Sequence, residues 1–119
     1  MKLSRLLVFA FVFSAGMSPA IAQELIRLQF EVAKDGSTVA KPEVSLNSGA
    51  AGRIEVDDVG RFALTPTLRG SDVAIAFDIS SGGKQFHPRL VISKNGPGSI
   101  SWKSDTGAES FKLTVSWVQ

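Results

Sequence analysis

Four groups of side chains have the types that chemistry requires. Asp105-Thr106-Gly107-Ala108 sets a carboxylate beside a turn-forming glycine. Such an Asp could work as half of a general acid–base pair if a second copy of the chain supplied the other carboxylate. His87 is the one histidine of the sequence. A nucleophile–His–acid triad would have to combine it with Ser80, Ser81 or Ser93. Asp57, Asp58, Asp72 and Asp78 could bind calcium if their loops converged, although their spacing does not alternate Asp with Asn or Gly as Ca loops do. Trp102 and Trp117 could offer a flat aromatic platform to a carbohydrate or a partner. Each group also has a simpler reading: a solvated turn, a surface histidine, turn-capping aspartates and core aromatics. One His and no Cys leave too few soft ligands for structural zinc or copper, so no metal or cofactor is expected.

Asp105-Thr106-Gly107-Ala108 resembles the Asp-Thr-Gly-Ala of retroviral-type aspartic proteases, small all-β proteins that contribute one such motif per subunit of a dimer. The resemblance implies a dimeric hydrolase with Asp105 as the catalytic carboxylate. Three departures stand against it. Lys103-Ser104 precede the Asp where that family has apolar residues. The motif lies near the end of the chain instead of early. The later apolar-apolar-Gly segment that supports the active loop is missing.

The elements that must position these residues are strands. Ile26, Leu28, Phe30 and Val32 alternate with Arg27, Gln29 and Glu31, and Phe111, Leu113, Val115 and Trp117 alternate with Lys112, Thr114 and Ser116. This period of two marks half-buried strands. Asp35-Gly36 is a hairpin signal. Pro42 interrupts Thr38–Leu46, which therefore reads as an edge or bulged strand. Around Asp58-Val59-Gly60, the expected register sets Asp57 opposite Arg61, with Gly60 in the left-handed position. Val73, Ile75, Phe77 and Ile79 form the next strand. Ala74 and Ala76 on its other face predict that this face is partly covered. Gly82-Gly83, Asn95-Gly96-Pro97-Gly98 and Ser104-Asp105-Thr106-Gly107 are further turns. The whole predicts an all-β fold, a single antiparallel β-sandwich or small barrel of about seven to eight strands.

The N-terminus carries an address. Met1-Lys2-Leu3-Ser4-Arg5 is basic, Leu6–Phe13 is apolar, and Ala20-Ile21-Ala22 fits a small-residue cleavage site. Residues 1–22 are expected to be a signal peptide cleaved after Ala22, and residues 23–119 a single β domain. The apolar run is too short for a permanent membrane span, so no integral membrane insertion is expected after cleavage. The full chain has 13 Lys and Arg against 11 Asp and Glu. Lys2 and Arg5 lie in the signal, so the remainder is neutral. A neutral chain with interleaved charges lacks the electrostatic footprint of nucleic-acid binding. The chain contains no cysteine, so disulfides are excluded, and Gln23 stands where a lipid-bearing Cys would be needed. A periplasmic or secreted bacterial location is expected.

Gly60-Arg61-Phe62-Ala63-Leu64-Thr65-Pro66-Thr67-Leu68, followed by Val73-Ala74-Ile75-Ala76-Phe77-Asp78-Ile79-Ser80, is similar to a strand–turn–strand stretch of secretins, the outer-membrane channel proteins. That stretch carries a Gly, a strand ending in Val-Thr-Pro and a strand of alternating aliphatics ending near Ser. Leu64 stands where Val is usual. The resemblance covers residues 60–81 alone and implies an envelope context, with no family for the whole chain. The expected function is a small non-catalytic binding domain acting on another envelope protein, through an edge such as Leu25–Val32 or Phe111–Val118. The alternatives are the Asp105 hydrolase and a structural subunit of an envelope or secretion assembly.

Overall fold

The computed structural model describes residues 9–12 and 25–118. The expected cleavage site at Ala22 lies outside them. The strands are β1 (Phe9–Val12), β2 (Leu25–Lys34), β3 (Ser37–Ala40), β4 (Glu43–Asn47), β5 (Gly52–Val56), β6 (Gly60–Arg69), β7 (Asp72–Ser81), β8 (Lys84–Phe86), β9 (Arg89–Ser93), β10 (Gly98–Lys103) and β11 (Ser110–Val118). They form two antiparallel sheets. One runs β1-β5-β6-β7-β8 with β9 also on β7, and the other runs β10-β11-β2-β3 with β4 also on β2. The expected all-β sandwich is therefore the fold observed.

The eleven strands reduce to a simpler plan. β3 and β4 are one edge strand broken at Lys41-Pro42, and β8 and β9 are another broken at His87-Pro88. Both breaks follow from proline, which has no N–H to donate to a ladder. Each proline still accepts through its carbonyl. Phe30 N–H donates to Pro42 O at 2.8 Å, and Phe77 N–H to Pro88 O at 3.0 Å. Counted this way, residues 25–118 hold eight strands, four in each sheet. The break at Pro42 is legible in the sequence, whereas the one at Pro88 falls inside Phe86–Ile92, whose residues read as one continuous strand.

The alternating faces make the core. Ile26, Leu28, Phe30 and Val32 of β2 meet Phe62 and Leu64 of β6 and Val73, Ile75, Phe77 and Ile79 of β7 in one buried cluster. Each such side chain contributes roughly 1.5–3 kcal/mol on burial. Pro66 is buried within β6, at a point beyond the end of β5. There the loop after β4 replaces the missing strand: Gly49 N–H donates to Pro66 O at 2.7 Å, and Leu68 N–H donates to Ser48 Oγ at 2.9 Å. The stretch that resembles secretins is the β6–β7 hairpin, a geometry that any pair of alternating strands adopts.

Two sequence expectations are corrected by register and strand order. Leu25–Val32 and Phe111–Val118 are not edges. β2 and β11 pair with each other, and each has a further partner on its other side. Two long alternating strands offer the most apolar area, and the centre of a sheet covers it best. Asp57 does not face Arg61 either. Glu55 does, at 3.9 Å, because Gly60 pairs with Val56 and leaves Asp57-Asp58-Val59 as the loop. Burial decides this shift: Val59 turns into the core at 5% exposure. Asp58 takes a left-handed conformation within the loop, φ 66°, and Gly60 keeps the expected positive φ, 147°.

Candidate functional site

The structure scatters most of the chemistry-bearing residues. Asp105 is exposed in the β10–β11 hairpin. Its N–H donates to Gly82 O at 2.8 Å, and a Cβ on Gly83 would lie 2.7 Å from its Oδ2. Asp105 thus packs one hairpin tip against another. Its carboxylate lacks the burial that holds a shared proton between two acids.

Ser81 is also committed. It is buried in β7 and accepts the Nε1–H of Trp102 at 3.0 Å, joining the two sheets. Trp102 stacks on Phe111 with centroids 5.5 Å apart, and Phe62 meets it edge-on at 6.0 Å. It is therefore a core residue and no platform for a ligand. Trp117 is half-buried at the end of β11, with Lys94 Nζ 5.0 Å above its ring.

His87 is exposed at the β8–β9 break. Its Nε2 lies 3.4 Å from Asp78 Oδ1, which also accepts Gln85 Nε2–H at 3.2 Å. This surface cluster lacks a serine within hydrogen-bonding distance of the histidine among the described residues. The four aspartates do not converge. Asp72 and Asp78 share the outer face of β7 six residues apart, about 20 Å along an extended strand. Asp57 and Asp58 sit in the hairpin before Gly60, at the end of β6 away from Asp72. Among the described residues, no group of three or more His, Cys, Asp or Glu could hold a metal ion.

What the sheet does build is a cleft on its outer face, of about 270 Å³. In-register pairs make its floor: Thr65 opposite Ala76, and Thr67 opposite Ala74. Ala76 and Ala74 pair in turn with Arg89 and Val91 of β9. Small side chains on two central strands, flanked by Arg69, Arg89 and Val91, leave a trough. The face expected to be covered is instead open: Ala76 is exposed, and Val91 is 64% exposed. Neither arginine has a carboxylate within 4.0 Å among the described residues. The trough can take an extended segment, and its unpaired guanidinium groups favour carboxylates by bidentate hydrogen bonding. The alanines of the floor were readable as the outer face of β7. The arginines had no signal, because only the pairing of β6, β7 and β9 brings them to one site.

No family model, no curated protein and no solved structure matches this chain.

Proposed function

We propose that the chain is a non-catalytic binding module of the bacterial envelope, periplasmic or secreted, that holds an extended acidic segment of another protein. The single observation that carries this reading is the open trough between Arg69 and Arg89, floored by Thr65, Thr67, Ala74 and Ala76. A sheet face with small side chains admits a backbone closely. Arg89 together with Arg69, which stands opposite Asp72 in register without an ion pair within 4.0 Å among the described residues, favours an acidic segment. The exposed position of Asp105 favours this reading over the hydrolase alternative.

The test is binding of a fluorescent, extended Glu- and Ser-containing peptide, read by anisotropy against salt. Wild type is expected to bind with an affinity that falls as salt rises. The Arg69→Glu/Arg89→Glu double variant, altered only at exposed positions, is expected to lose that binding while keeping its circular dichroism. Undetectable binding by wild type, or equal binding by the double variant, overturns the reading.

A further inference from the structure

The edge of β5 differs from the β3/β4 and β8/β9 edges. The remaining edge, β10, also has no proline within it but directly follows Pro97. The β3/β4 and β8/β9 edges are each broken by a proline, a device that discourages strand addition. β5 has no proline, and it is covered by an apolar segment of the same chain: Phe9, Ala10, Phe11 and Val12 pair antiparallel with Glu55, Ile54, Arg53 and Gly52. That segment belongs to the part expected to be removed as a signal. Its removal uncovers a five-residue edge, Gly52-Arg53-Ile54-Glu55-Val56. On that edge Gly52, Ile54 and Val56 face the core, and Arg53 and Glu55 face solvent.

The pattern of this edge is self-complementary. An antiparallel partner related by a two-fold axis through Ile54 places Ile54 against its own copy and Arg53 against Glu55 on both sides of the axis. Each opposite-charge pair lies on the outer face, where directly opposed residues interact. Arg61 already faces Glu55 across β5–β6, so the row across the interface reads Arg61, Glu55, then the second copy's Arg53, with alternating sign. In a parallel or slipped pairing this alternation fails. Charges that would repel an unrelated strand thus specify a second copy in one register.

We infer that, once residues 1–22 are removed, the chain forms a two-fold dimer through antiparallel pairing of β5 with β5, and that β1 blocks this edge while the leader is attached. The dimer has one continuous sheet, with the troughs of both copies on the same face. This inference rests on the expected removal of the leader and not on what the trough binds.

The experiment is sedimentation velocity on the chain from Gln23 to Gln119 over a concentration series. Without β1 this chain still holds the eight strands of residues 25–118, four in each sheet. A concentration-dependent dimer is expected, and the full-length chain under the same conditions is expected to stay monomeric. Arg53→Glu or Glu55→Arg sets like charges against each other on both sides of the axis and is expected to weaken association roughly tenfold or more. The double variant Arg53→Glu/Glu55→Arg restores both pairs and is expected to recover the dimer. Both positions are exposed, and circular dichroism verifies that each variant is folded. A Gln23–Gln119 chain that stays monomeric overturns the inference. So does a dimer indifferent to the single reversals, or one that the double reversal does not rescue. Peptide binding by the trough is measured separately, so either proposal can fail while the other stands.

Discussion

The rings of Phe30 and Phe77 meet edge to face across the core, with centroids 6.4 Å apart and planes 75° apart. Each sits on a central strand, and each donates its N–H to the carbonyl of a proline that breaks the neighbouring edge strand. The two sheets therefore share a design: a proline interrupts the edge, and the phenylalanine beside the break fills the middle of the sandwich. Edge breaking and core filling are coupled at the same level of the fold.

Phe30→Ala and Phe77→Ala are each expected to destabilise the protein by about 3–5 kcal/mol, because a large cavity opens in a close-packed interior. A double-mutant cycle by urea denaturation is expected to show a coupling of about 0.5–1.5 kcal/mol for the ring pair. Additive single losses would show that the two rings do not interact.

Ser81→Ala removes the acceptor of the buried Trp102 Nε1–H. The expected cost is about 1–3 kcal/mol, the penalty for burying a donor without a partner. Urea denaturation followed by tryptophan fluorescence measures it, and a loss below that range would mean that the indole finds another acceptor.

Gly60→Ala is expected to be far more damaging than Gly49→Ala, although both glycines have positive φ. A Cβ on Gly60 would lie 2.1 Å from Ser80 O, and one on Gly49 meets open space. Backbone strain alone accounts for about 1–3 kcal/mol, and at Gly60 the β6–β7 ladder must also shift. Thermal unfolding of the two variants is expected to rank them in that order.

Asp105→Asn is expected to change stability by no more than about 0.5 kcal/mol, because the side chain is exposed and the bond to Gly82 comes from its backbone. Neither wild type nor variant is expected to cleave peptides at acidic pH. Cleavage by wild type that Asp105→Asn abolishes would replace the binding reading with the hydrolase.

The sequence by itself determined what depends on near neighbours. Alternation assigned the buried faces of β2, β7 and β11. Asp35 and Gly36, both at positive φ, form the hairpin loop expected of that dipeptide. Pro42 marked a broken edge. These features follow from the two-residue period of a strand and from backbone preferences that residues carry anywhere. Only the tertiary structure decided that β2 and β11, the alternating strands read as possible edges, pair with each other at the centre of their sheet, leaving β5 as the edge that takes a strand. It also decided that burying Val59 moves the register of the β5–β6 hairpin so that Arg61 faces Glu55. The outer alanines of β7 became a trough floor for the same reason, since their cover depends on strands far away in sequence. Strand order and register are chosen by the sum of long-range burial over both sheets, and no local pattern encodes that sum.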